Sequence, residues 1–302
     1  MKTSIKRSLI LFTVALALVP TSLLAWGEKG HSAVNEAAAY GMTTDLPRFF
    51  LDSVPQLVYL ANDPDRWRSG GDSIESDNPP NHFLDYEFVS SLNLPRERYD
   101  YIALLYSSGT LRKYSLKVDS PGFLPWKIAE SADLLEAQWR LWRRSGPGTV
   151  ERRQIEQNII NTAGLLGHYV GDGANPDHAT SNYNGWTSPN PNGYPTDCDA
   201  HWRFETQFIS RDIDPSAVFP LVKPARLSND YFATALEEIR DSNALVEILY
   251  RLDRDGAFKP GSRTEPAGRQ FALERLAAGA SYLRDLWWSA WVRSGQRQIR
   301  ND

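Results

Sequence analysis

A single cysteine, Cys198, in 302 residues rules out an intramolecular disulfide, so covalent cross-links do not hold this chain together. A basic excess is missing too. Thirty-three lysines and arginines face 37 aspartates and glutamates, a formal net charge of −4. Binding driven mainly by neutralising a phosphate backbone is therefore disfavoured. Bound metal ions could still handle phosphate, because their local charge exceeds that of any side chain. Period-two alternation is scarce, which argues against a sheet. Long apolar runs are absent except at the N-terminus.

That exception reads as a secretory signal peptide. Lys2, Lys6 and Arg7 precede Leu9 to Val19, a run interrupted only by Thr13, closed by Pro20 and followed by small and apolar residues to Ala25. No other segment approaches the ~20 apolar residues that a span requires. The expectation is a removed leader over residues 1–25 and one domain over 26–302, exported to the periplasm or medium, with no transmembrane anchor after cleavage. Without disulfides, such a fold must rest on its core and on bound metal.

Helical periodicity covers most of the rest. Residues 127–144 place Ile128, Ala132, Leu135, Trp139 and Trp142 on one side, and residues 151–171 do the same with Ile155, Ile159, Ala163, Leu166 and Val170. Residues 229–252, broken near Ser242, and residues 268–293 supply two more helices. Residues 69–81 and 181–199 read as loops, the second dense in Asn, Pro and Gly yet carrying Tyr183, Trp186 and Tyr194. Those aromatics either meet a substrate or pack against the domain. No repeat or linker divides the chain, so the fold expected is all-α, a single compact multi-helix domain with long loops.

Five histidines are all the chain has: His31, His82, His168, His178 and His201. His168 and Asp172 stand one helical turn apart, as do His201 and Glu205. Gly171 and Gly173 read as a turn that folds His178 back toward the first pair. Upstream lie Asp63, Asp65 and His82, with Asp63 and Asp65 each opening an Asp-x-x-Arg pattern. Cleavage after Ala25 would give Trp26 a free α-amine five residues from His31. Cys198, three residues before His201, is either an extra ligand or a bystander. Imidazole and carboxylate suit zinc, and so many candidate ligands exceed what one ion uses, which points to two or three.

These motifs resemble the zinc-dependent phospholipase C and single-strand-specific nuclease superfamily. The shared pattern is W-G-x-x-G-H at the mature start, an Asp, H-F, H-Y-x-G-D-x-x-x-P-x-H, and H-x-x-x-[DE]. It is met across residues 26–205, while residues 206–302 match only in being helical. The resemblance implies an all-α fold around three Zn2+ ions. Asp65, His82, His168 and Asp172 would hold one ion; His178, His201 and Glu205 a second; Trp26, His31 and the shared Asp172 a third. The tight W-G-x-x-G-H and the 23-residue step from His178 to His201 resemble the fungal nuclease branch. Glu205 is the phospholipase-like choice, the nucleases' G-G-N segment is replaced by NYNGW, and their disulfides are absent.

The activity implied is an exported trinuclear-zinc phosphodiesterase, a single-strand-specific nuclease of the endonuclease and 3′-nucleotidase type. A hydroxide bridging two zinc ions would attack phosphorus, with Asp65 orienting it or accepting a proton. A zinc-dependent phospholipase C is the alternative, and a non-catalytic exported zinc-binding protein a further one. The expected partner is single-stranded nucleic acid or a nucleotide, or else a phospholipid head group. No stable protein partner is implied.

Overall fold

Apolar residues at helical spacing leave this chain one solution, helix packed on helix. The computed structural model describes residues 26–42 and 45–296, and these contain helices, turns and irregular segments but no strand. The expected signal segment lies outside the described residues. Among the described residues, no helix is long and apolar enough to cross a membrane.

Seven helices carry the argument: α1 (Gly27–Tyr40), α2 (Val54–Leu60), α3 (Leu124–Arg144), α4 (Val150–Gly173), α5 (Tyr231–Asn243), α6 (Val246–Arg254) and α7 (Glu265–Ser294). Helix α4 is the spine, packed against α1, α2, α3 and α7. Thr149 caps its start by accepting the Arg152 amide at 3.1 Å. Helix α3 begins three residues earlier than the periodicity suggests, because Pro125 suits a first helical turn. The break expected near Ser242 falls between α5 and α6, at Ala244 and Leu245.

The core is aromatic where α3, α4 and α7 meet. Trp139 contacts Phe50 and Trp291 at 5.7 and 5.0 Å between ring centroids, and Phe50 meets Trp287 edge-on at 5.3 Å. The Trp287 indole N–H donates to the Ala163 carbonyl at 3.2 Å, so even this buried donor is satisfied.

Small residues on α4 let α1 come close. A β-carbon on Gly167 would lie 1.8 Å from Asn35 Oδ1, whose amide donates to the carbonyls of Leu57 and Gly164. Asn35 thereby ties α1 to both α2 and α4.

Segment 69–81 departs from its reading as a plain loop. It holds a short helix, Asp72–Asp77, and the start of a 3-10 turn, Pro79–His82, in which Pro79 and Pro80 fix the backbone. Segment 181–199 is irregular throughout, as its composition dictates. Trp186 and Tyr194 anchor it by packing on Tyr250 of α6, at 5.2 and 5.8 Å.

Candidate metal centre

The C-terminal turns of α4 present His168 and Asp172 toward the first turns of α1. Gly171 and Gly173 lie within α4 rather than forming the expected turn. Gly171 instead makes room, since a β-carbon there would stand 3.0 Å from His31 Nδ1. Asn175 and Pro176 make the reversal. The Asn175 side chain caps a 3-10 turn at Pro176–His178 by accepting the Asp177 amide, and His178 is thereby returned to the cluster.

Glu205 lies on a π-helical segment, Trp202–Phe208, and His201 is the α-helical residue that immediately precedes it. Such local widening is common at functional sites. Glu205 and His201 are both buried.

Three groups of ligand atoms result: Asp65, His82 and His168; His31, His168 and Asp172; and His178, His201 and Glu205. All eight side chains, His168 counted once, are buried. Asp172 joins the first two groups. Its Oδ2 lies 3.0 Å from His82 Nδ1 and 3.4 Å from His168 Nε2, and its Oδ1 lies 3.5 Å from His31 Nε2. Asp65 Oδ1 stands 3.9 Å from His168 Nε2. In the third group, His178 Nε2 is 3.0 Å from Glu205 Oε1 and 3.3 Å from His201 Nε2.

Two histidine tautomers are fixed by their outer partners. His168 Nδ1 donates to the Ala61 carbonyl and His178 Nδ1 to the His82 carbonyl, each at 2.7 Å. A carbonyl only accepts, so in the neutral rings both Nε2 atoms carry lone pairs aimed into the cluster. Metal-binding histidines are held this way. Inner nitrogens also sit close together, at 3.0 Å for His168 Nε2 and His82 Nδ1. Zinc–nitrogen bonds of 2.0–2.1 Å in tetrahedral geometry separate two ligand atoms by roughly 3.3 Å. The inner atoms stand near one coordination edge apart, and the donor set of imidazole and carboxylate fits zinc.

Burial and neighbouring charges set the electrostatics of the cluster. Burial pushes the Asp172 carboxyl well above its usual range, and burial raises Asp65 to about 6 although Arg68 opposes it. Burial lowers His82 well below its ordinary value and His168 to about 3. Burial opposes charge on His178 as well, but the Asp172 and Glu205 carboxylates outweigh it and lift the ring to about 10. Glu205 falls to about 2 because His201 and His178 outweigh its burial. Burial and mutual Coulomb interactions thus pull the carboxyls and imidazoles of one cluster in opposite directions.

The competing acids separate cleanly. Asp65 is buried and faces His168, whereas Asp63 pairs with Arg66 at 3.0 Å on the surface side. Cys198 is exposed and belongs to none of the three groups. Trp26 is fully buried, its indole N–H donating to the Gly171 carbonyl at 2.6 Å beside Asp172. Gly30 permits this fold-over, because a β-carbon there would meet Trp26 Cβ at 2.8 Å.

Several neighbours were not apparent from the sequence. Arg68 stands 2.8 Å from Asp65 Oδ1, and the second Asp-x-x-Arg pattern was its only signal. Asn175 donates to Glu205 Oε1, and Tyr169 packs against both His82 and His168. His31 and His168 stack at 3.9 Å, and His168 belongs to the second group as well as the first.

Gly171→Ala should displace His31. The expected cost is about 1–3 kcal/mol in denaturant unfolding, with one metal ion lost per chain by elemental analysis. Unchanged metal content would mean that His31 is not held by this approach.

No protein-family model matches the chain, and comparison with curated proteins finds no match. Solved structures that resemble it include two alpha-toxins. One is an alpha toxin from Clostridium absonum, with 14% identity and a TM-score of 0.44, covering 91% of this chain and 67% of the toxin. The other is the alpha-toxin of Clostridium perfringens avian strain SWCP, with 13% identity and a TM-score of 0.45, covering 92% and 67% respectively.

Proposed function

We propose that the chain is an exported zinc-dependent phosphodiesterase with three zinc sites, acting on single-stranded nucleic acid. The observation that supports the metal chemistry, whichever the substrate, is the set of buried imidazole nitrogens and carboxylate oxygens standing about one coordination edge apart. Asp65, His82, His168 and Asp172 would hold one ion, and His178, His201 and Glu205 a second. The Trp26 amine and carbonyl, with His31 and Asp172, would hold the third.

Zinc bound there acidifies water toward neutral pH and offsets charge on a phosphate. The side chains supply the rest. Asp65, paired with Arg68, is placed to orient the attacking water or take its proton. The Arg68 guanidinium lies beside it and can bind a phosphate oxygen. Carbonyls of Ala61 and His82 keep two imidazoles in the ligating tautomer.

A phospholipase C is the second reading, favoured by Glu205 at the last ligand position. Aromatics near the centre suit either substrate: Tyr183 is 45% exposed and stands edge-on to His201 at 5.9 Å. Zinc-loaded protein assayed on single-stranded DNA and on phosphatidylcholine vesicles separates the two. Cleavage of the DNA is expected, and cleavage confined to the vesicles would replace the nuclease reading with the lipase one. Inertness toward both, with zinc bound, would leave a metal-binding protein without catalysis. Asp65→Asn should lower kcat by about 10²-fold or more, while Asp63→Asn leaves it nearly unchanged. Equal losses would remove the distinction drawn between these acids.

A further inference from the structure

Away from the metal centre, a cavity of about 710 Å³ lies between α5, α7 and the segment 221–228. That segment is strapped onto α7. The backbone amides of Lys223, Arg226 and Ser228 donate to Ser281 Oγ, Asp285 Oδ1 and Ser289 Oγ at 3.0, 2.6 and 2.7 Å. The three acceptors stand one helical turn apart, so the strap runs along the helix and forms one wall of the cavity. The volume is that of a small-molecule site.

Beyond Ser281 and Asp285, which hold the strap, some of its polar groups are not used by the fold. Tyr282 is 4% exposed, lines the cavity, and its hydroxyl has no hydrogen-bond partner among the described residues. Arg275 Nε is likewise buried without a partner. Glu238 on α5 and Arg275 on α7 line the same space yet make no ion pair among the described residues. Burial pushes the Glu238 carboxyl to about 7, with Arg275 only partly opposing it. Opposite charges held apart across one cavity, with an idle hydroxyl between their helices, leave the electrostatics of both unsatisfied. A cation alone would answer only Glu238, and an anion alone only Arg275.

We propose that this cavity binds a small zwitterion, its ammonium set against Glu238 and its oxyanion against Arg275 and the Tyr282 hydroxyl. A guanidinium takes a carboxylate or a phosphate in the same forked geometry. The ligand class is therefore a free amino acid or an amino-phosphate of similar size. The acidic Glu237, Asp241 and Glu274 at the mouth add preference for a further positive charge.

The test is calorimetric titration of the zinc-loaded full chain with glycine, L-glutamate, L-arginine and phosphoethanolamine, with methylammonium and acetate as singly charged controls. Saturable binding by at least one zwitterion, and by neither control, is expected. Glu238→Gln and Arg275→Met should each weaken it at least about tenfold, and Tyr282→Phe by less. Zinc content and phosphodiester hydrolysis should stay as in the unaltered chain. The split between L-arginine, L-glutamate and phosphoethanolamine assigns the oxyanion and the added charge. No saturable binding by any zwitterion up to about 10 mM would overturn the proposal. So would binding that survives both substitutions, or that the controls match. The titration of the unaltered chain decides even if a variant fails to fold.

Discussion

Asp172→Asn is expected to reduce phosphodiester hydrolysis by about 10³-fold or more and to cut bound zinc from three ions to one. Losing an outer partner of a metal ligand already costs 10–100-fold, and in the proposed centre Asp172 would be a shared ligand rather than a partner. Its Oδ1 faces His31 and its Oδ2 faces His82 and His168. An amide has one oxygen, so one direction would receive N–H groups against imidazole lone pairs, and the negative charge would vanish from both. The third group, His178, His201 and Glu205, keeps its ligands. Folding supplies a control. Burial raises the Asp172 carboxyl, so its charged form destabilises the metal-free protein, and stability there falls as pH rises from the usual carboxylate range through the group's raised value. The variant should therefore be at least as stable as the unaltered chain without zinc and less stable with it. Full zinc content with near-normal turnover would show that Asp172 is not shared.

Chelation of zinc is expected to lower the melting temperature by on the order of 10 °C per ion. An ion present at a thousandfold above its dissociation constant stabilises the folded state by about 4 kcal/mol. Each kcal/mol moves the midpoint of a large domain by about 2–4 °C. No disulfide softens the effect, since Cys198 has no partner in the chain. The apo cluster would also hold buried Asp65, Asp172 and Glu205 together without a divalent counter-charge. Zinc should restore the midpoint and magnesium should not, because an imidazole-rich donor set suits the softer ion. A midpoint indifferent to chelation would mean that the cluster holds no structural metal.

Much of this architecture was legible in the chain because helices write their periodicity into sequence. The α3, α4 and α7 patterns and the break between α5 and α6 follow directly from apolar spacing. The i, i+4 pairs were legible for the same reason, a helix placing His168 beside Asp172 whatever lies around it. Contacts across long separations were not. Nothing local says that the Trp26 indole reaches Gly171, that His31 stacks on His168, or that Gly171 is empty for the sake of an imidazole. The glycines of the motif suggested a turn because glycine more often serves backbone freedom than close approach. The π-helical widening at Trp202–Phe208 had no signal either, since it depends on tertiary contacts and not on propensity. Asp63 and Asp65 open the same pattern and spacing does not tell them apart; the structure separates them by burial.

Native mass spectrometry of the exported chain reads both the N-terminus and the number of ions held. A chain beginning at Trp26 and carrying three zinc ions is the predicted result. A chain carrying one zinc or none, or one carrying three while beginning elsewhere than Trp26, would contradict a centre completed by its own processed N-terminus.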